Sequence, residues 1–347
     1  MAIHTWTDSP KHAIWNHLRF LSHLSNAMAL LRGDLGGTVK RSIADHELTQ
    51  RKARQLSSCI QQAEEFYAAA EHATVNTSPL LLYYGMFSLA KALVVANHPS
   101  LLLDSINYHG LKRSKDELDE VPLEDVHLVT DGGAFEEFMK ITVGNALPRH
   151  AKVKFRDLLS VLPSVSDFFS RYYRQSPRCL PLYDSFGGGT DQLISVSISS
   201  HKADGALTVE QIYEVIPDLE PDFLHEETKA AHVFRAKDLR SWPEYMGKYE
   251  SPLGGRYLIG CLPTELEGRR GQSYVSPPVA EYMLVFLLSD CVRYRQEFWG
   301  RVVSGEQTGI LGLINLVLSQ TIRQFPNLIL DQLFGELFTY GSPAYLG

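Results

Sequence analysis

Cysteine is sparse in this chain, and its four copies, Cys59, Cys179, Cys261 and Cys291, are scattered. None belongs to a Cys-x-x-Cys pair and none has a histidine at ligand spacing, which excludes the common zinc motifs and a disulfide framework. A reduced, cytoplasmic protein without structural metal or cofactor is the expectation. Positive charge is also short: the net charge of −7 excludes bulk attraction to nucleic acid, though a local basic patch remains compatible with it. Met1 to Pro10 is polar without an apolar core, so no secretory signal is expected. The longest apolar run, Leu80 to Ala96, is interrupted by two tyrosines, Ser88 and Lys91, and reads as core rather than as a membrane span. His-Glu-x-x-His, a nucleophile elbow and a dinucleotide fingerprint are all missing, which removes the commonest enzyme classes. Gly187-Gly188-Gly189-Thr190 and Gly36-Gly37-Thr38-Val39-Lys40 lack the flanking context of a P-loop.

Material for a core is abundant: 44% of the 347 residues are hydrophobic and 21% charged, enough for one large domain or two ordinary ones. Residues 11–31 keep helical spacing through Ile14, Leu18, Leu21, Leu24, Met28 and Leu31. A second helix runs from Asp45 to about Ala73 on a line through Ala53, Leu56, Ile60, Ala63, Tyr67 and Ala70. Ser78 and Pro79 then mark the start of a third, apolar on nearly every side, which requires packing on several faces. Residues 112–134 are rich in charge and read as a solvated excursion.

The middle of the chain changes period. Gln192 to Ser200 alternates as a half-buried strand, Ala231 to Ala236 and Arg256 to Leu262 are further strands, and Thr208 to Gln211 fits a capping box. Helix returns after Pro277-Pro278, with Tyr282, Phe286, Ser289 and Arg293 on one stripe, followed by two helices over 308–323 and 326–338. The expected fold is therefore mainly α. Helices of an N-terminal region (1–150) and a C-terminal region (276–347) pack together, and a mixed insertion (151–275) carries a small antiparallel sheet.

Several segments together resemble the YaaC-like proteins of bacteria. At the N-terminal end these are Ile14-Trp15-Asn16, Pro79-Leu-Leu-Leu-Tyr-Tyr-Gly, Ser88-Leu-Ala-Lys-Ala-Leu and His109-Gly110-Leu111. At the C-terminal end they are Tyr282-Met-Leu-Val-Phe-Leu-Leu-Ser, Arg293-Tyr294, Trp299 and Phe325-Pro326-Asn327-Leu328. The Tyr83-Tyr84-x-Met86-Phe87-x-x-Ala90-Lys91-Ala92-Leu93 core also looks like the helix of HEPN domains, helical bundles of prokaryotic toxins and defence proteins. That likeness implies a HEPN-like bundle and, in many relatives, metal-independent ribonuclease chemistry. Such chemistry uses an arginine, a polar neighbour and a histidine four to six residues later. Lys91 precedes His98 by seven, with the wrong residue type and spacing, while Arg41-Ser42 with His46 meets the spacing but lies ahead of the second helix.

The polar groups of these segments are the candidate site. Tyr84, Lys91 and His98 recur every seven residues along one helix line. Lys91 and His98 either line a phosphate or nucleotide site, or snorkel and cap the helix end. Tyr83 and Tyr84 are core tyrosines with satisfied hydroxyls or base-stacking groups. His109, Lys112 and Arg113 sit in a loop where packing does not demand them. Arg293 falls on an apolar stripe and needs a partner, Glu297 or another carboxylate, whereas Arg295 faces elsewhere and is expected exposed.

The leading expectation is a non-catalytic interaction or effector subunit that binds a partner protein or RNA, forms homo-oligomers through leftover apolar surface, and belongs to phage defence or stress response. One alternative is a divergent HEPN-type ribonuclease with His98 or His109 moving the proton and Lys91, Lys112 or Arg293 facing the phosphate. Another is a nucleotide or small-molecule sensor.

Overall fold

The apolar run after Pro79 forms a helix because nothing in it breaks one, and it is central because no face of it is polar. In a computed structural model, helices α1 (Pro10–Phe20), α2 (Leu24–Arg32), α3 (His46–His72) and α4 (Ser78–Asn97) come first. They are followed by α5 (Gly133–Val143), α6 (Phe155–Ser160), α7 (Ser166–Tyr173), α8 (Pro277–Tyr294), α9 (Gln296–Val303) and α10 (Leu311–Phe334). The structure describes all residues except 1, 36–44, 106–107, 115–120, 144–145, 176, 187–191, 198–218, 222–230, 237–256, 267–268, 307–308 and 342–347. Both glycine runs, Arg41-Ser42 and the capping box at Thr208 lie outside the described residues.

Helix α4 packs against α3, α5, α8 and α10, which explains why it carries no solvated stripe. By length and composition it suffices to cross a membrane, yet 72% of that window is buried inside the fold. One hydrophobic core joins α1 and α3 to α8 and α10, through residues such as Leu18, Ile60, Leu284 and Ile329. The closest approach is at Gly85, where an added Cβ would lie 2.5 Å from the ring of Tyr67 on α3. That ring is itself wedged edge-on against Trp15 of α1, 5.2 Å away, and has no room to yield. Gly85→Ala is therefore expected to destabilise the protein by about 1–3 kcal/mol, the range for overpacking a filled core. Urea denaturation checks it: an unchanged midpoint would mean that α3 and α4 do not meet here.

Lys52 of α3 is fully buried and donates to the carbonyl of His98, the residue that ends α4. A cation at the carbonyl end of a helix is favourable there. Burial nonetheless pushes its ammonium down to about 8.

Two helical expectations are corrected. The first amphipathic stretch is two helices, because the chain turns at Leu21-Ser22, where the Ser22 hydroxyl bonds the Arg19 carbonyl, and restarts after an extended His23. The last two expected helices are one: α10 runs through Pro326, whose ring removes a single backbone bond while Phe325 and Ile329 beside it remain buried. Gly335, at φ +63°, then ends the helix, and Leu337–Gly341 forms a strand (β11) instead of a final helical turn. Asp331 accepts from the Phe338 amide and Asn327 donates to its carbonyl, tying β11 to α10. The strand pairs in parallel with β1 (Ala2–Trp6).

The remaining strands form one antiparallel sheet. They are β2 (Leu111–Arg113), β3 (His127–Thr130), β4 (Lys152–Lys154), β5 (Cys179–Phe186) and β6 (Gln192–Ser197). Then come β7 (Leu219–Pro221), β8 (Ala231–Ala236), β9 (Tyr257–Leu266) and β10 (Arg269–Val275). The order is β2-β3-β4-β9-β5-β6-β8-β7, with β10 paired to β9. An antiparallel sheet set among helices is the expected class, and it has nine strands among the described residues. It begins at residue 111, and the expected solvated excursion over 112–134 is corrected from residue 123 on, where Leu123, Val126 and Leu128 are fully buried; its charged residues 115–120 lie outside the described residues.

Candidate functional site: a cationic and aromatic cluster

The loop between α4 and β2 carries His109, and its backbone is locked onto the start of α5. The Ala134 and Phe135 amides donate to the carbonyls of Tyr108 and His109, both at 3.1 Å, and the Asp131 amide donates to that of Gly110 at 2.8 Å. Gly110 has φ +83°, and an added Cβ there would lie 1.7 Å from the Gly132 carbonyl oxygen. The first free amides of α5 are thus satisfied by the loop, and the His109 ring is delivered to the surface of α4.

On α4, Tyr83, Phe87 and Lys91 follow at steps of four and so share one face. Tyr83 is fully buried, and its hydroxyl lies 2.8 Å from His109 Nδ1. The imidazole also packs on the Phe87 ring, with centroids 4.5 Å apart. Lys91 Nζ lies 4.6 Å from the centre of that same ring. From α8, Arg293 Nη1 donates to the Tyr84 hydroxyl, and the guanidinium is flanked by the rings of Tyr84 at 5.6 Å and Tyr294 at 4.7 Å. Its Nε is buried without a hydrogen-bond partner. Tyr84 is stacked in turn on Phe66 of α3.

Two features define the electrostatics. Lys91 and Arg293 make no ion pair among the described residues, and the fields of both reach the His109 imidazole; Asp290, paired with Arg113, also acts on Arg293. Burial, reinforced by the fields of Arg293 and Lys91, holds the His109 imidazole below its ordinary value, so it is neutral at neutral pH. Burial also pushes the Tyr83 hydroxyl well up, and it therefore keeps its proton. A buried hydroxyl must donate somewhere, and Nδ1 is within reach as an acceptor. With Tyr83 as that donor the imidazole proton sits on Nε2, and the cluster holds a neutral N–H donor beside its two cations.

The structure brings together Tyr84, Lys91, His109 and Arg293 of the residues expected from sequence. Arg113 stands one step away, paired at 3.3 Å with Asp290, one turn before Arg293 on α8. Burial raises the Asp290 carboxyl against the lowering effect of Arg113. Lys112 is turned to Asp131 at 3.0 Å on the exposed side. His98 is not part of the cluster: it is the C-cap of α4, and its Nδ1 accepts from the Leu101 and Ser100 amides at 3.0 and 3.4 Å. Two expectations about α8 are corrected. The partner of Arg293 is the Tyr84 phenol and not Glu297, which is exposed. Arg295 is buried with its guanidinium 4.4 Å from the centre of the Phe298 ring, because the chain turns at the helix end and carries it inward.

Sequence reasoning weighs Tyr83 only as a core or base-stacking tyrosine and leaves Phe87 out of the site, although their four-residue step to Lys91 is the available signal. Among the described residues, no group of three or more His, Cys, Asp or Glu side chains is placed to hold a metal ion. Two cations, an N–H donor and aromatic faces form a set suited to a phosphate oxyanion.

Comparison with curated proteins and with solved structures gave no match. The model of one family, the YaaC-like proteins, matches residues 30–333, a span that includes α4, the His109 loop, the sheet and α8. The chain belongs to the YaaC-like protein family.

Proposed function

We propose that this chain is a non-catalytic binding subunit that holds RNA by one of its phosphate groups at the Lys91, Arg293 and His109 cluster. The observation that carries the reading is the pair of cations whose fields meet at the His109 imidazole, neither of them in an ion pair among the described residues. With a net charge of −7, the protein is suited to a local grip on one phosphate rather than to a long backbone track. The HEPN-related scaffold and a role in phage defence or stress response, with a partner protein or further copies of the chain, complete the proposal. Their support is the likeness of the Tyr83–Leu93 helix.

Binding is favoured over cleavage by the count of proton-transfer groups. Strand scission at a ribose 2′-hydroxyl needs one group to take a proton and another to give one. His109 is committed to Tyr83, and His98 serves as a backbone cap elsewhere.

Fluorescence anisotropy with a short labelled single-stranded RNA at low salt tests the reading. Lys91→Ala and Arg293→Ala are each expected to weaken binding by about tenfold or more, the worth of one charge-assisted hydrogen bond. The salt dependence should correspond to about one or two released counterions. Binding indifferent to both substitutions would overturn the assignment. Metal-independent cleavage abolished by His109→Ala would overturn the non-catalytic part and establish the ribonuclease alternative.

A further inference from the structure

Tyr282 of α8 is fully buried, and the polar group beside its hydroxyl is the hydroxyl of Tyr83. Its ring stands edge-on to that of Tyr83, with centroids 5.7 Å apart, and the two hydroxyls are neighbours. A buried hydroxyl needs a polar neighbour, and here the Tyr282 oxygen stands as a second acceptor directly behind the Tyr83–His109 bond.

We propose that the phosphate held by the cluster is a terminal monoester, carrying two negative charges, and that its binding draws a proton from solvent onto His109 Nδ1. The Tyr83–His109 hydrogen bond then reverses: Nδ1–H donates to the Tyr83 oxygen, and Tyr83 turns its own proton to the Tyr282 oxygen. No covalent bond to carbon or phosphorus changes, and the proton gained by the imidazole is the one lost by the buffer. The inference rests on the reading of the cluster as a phosphate site.

The charge count selects the ligand. Lys91 and Arg293 present two positive charges, which a monoester dianion matches and a single internal diester leaves half unbalanced. Burial, and after it the fields of those same cations, holds the imidazole below its ordinary value in the free protein, so cancelling the field removes the electrostatic part of that restraint. The ionisable groups acting on His109 are Tyr83 and Lys91 from α4 and Arg293 from α8, with Tyr282 beside Tyr83 and Tyr84 beside Arg293; Asp290, also on α8, lies by Arg293 and is paired with Arg113 of β2. On α5, Glu136 is engaged by Lys140 and Arg149, and on β2 Lys112 is engaged by Asp131. None of these supplies a competing carboxylate at the imidazole.

Calorimetric titration of the whole protein at pH 7.5, in buffers of different ionisation enthalpy, reads the protons taken up. The probes are one RNA oligonucleotide with a 5′-phosphate, the same oligonucleotide with a 5′-hydroxyl, and inorganic phosphate. The expected result is at least tenfold tighter binding of the phosphorylated form, with roughly half to one proton taken up per ligand. Tyr282→Phe, which keeps the buried ring and removes only its hydroxyl, should fold and bind but take up no proton. Inorganic phosphate that displaces the oligonucleotide at a similar concentration, with the same uptake, supports the dianion and identifies free phosphate as its source. Equal binding of the two oligonucleotides overturns the monoester assignment, and uptake unchanged in Tyr282→Phe overturns the relay. In both cases the phosphate-site reading stands. Absence of binding by all three probes overturns that reading and this inference together.

Discussion

Replacing Glu281 with glutamine is expected to stabilise the protein by roughly 3 kcal/mol at pH 7 and to flatten its pH dependence. Glu281 lies on α8, fully buried, with one carboxyl oxygen lacking a hydrogen-bond partner and Thr321 of α10 as its polar neighbour. Burial pushes its carboxyl from 4.5 up to about 8, so the folded protein keeps the acid protonated at neutral pH. The sign follows. Between about pH 4.5 and 8 the unfolded chain has released this proton and the folded chain still binds it, so stability falls as pH rises and levels off above the folded value. At pH 7 the loss accumulated over some 2.5 units, at about 1.36 kcal/mol each, is the quoted figure. Glutamine has the shape of the protonated acid and does not ionise, so the loss disappears. Urea unfolding of both proteins at pH 5, 7 and 9 decides the matter. Two curves that stay parallel across that range would show that Glu281 is ionised in the fold.

Gly110→Ala is expected to cost on the order of 3 kcal/mol, combining left-handed strain with a backbone clash. The residue has φ +83°, and the atom its new Cβ would meet is the Gly132 carbonyl oxygen, which also accepts from the Glu136 amide. Neither side is the flexible end of a side chain, so relief requires the His109 loop to leave α5. The same substitution should therefore break the Tyr83–His109 bond, seen as a change in the imidazole nitrogen shifts by NMR. An unchanged denaturation midpoint with His109 shifts like those of the parent protein would contradict the described loop.

The seven-residue recurrence of Tyr84, Lys91 and His98 is a true helical relation but grouped the wrong residues. An ideal helix drifts about 20° per heptad, and by His98 the helix has ended, leaving that imidazole to cap backbone amides. The tighter step of four through Tyr83, Phe87 and Lys91 is the face that meets His109. His109 stood out because packing does not explain a His-Gly pair in a loop, and Arg293 because it broke an apolar stripe. Arg295 was misplaced because periodicity stops at Tyr294, where the helix does. Strands β2, β3 and β4 escaped notice because three or four residues are too few to display alternation and carry lysine and arginine among them.

Helix identity, the uniformly apolar α4 and α8, and the switch to alternating strands all follow from residue order, because hydrophobic period and capping act over a few neighbours. The joining of Tyr84 to Arg293 across 209 positions, and of Arg113 to Asp290 across 177, belongs to the packed molecule alone. Contacts at such separations leave no periodic trace in the chain. They arise only once α4 and α8 bury their apolar faces against each other and bring their few polar groups to one place.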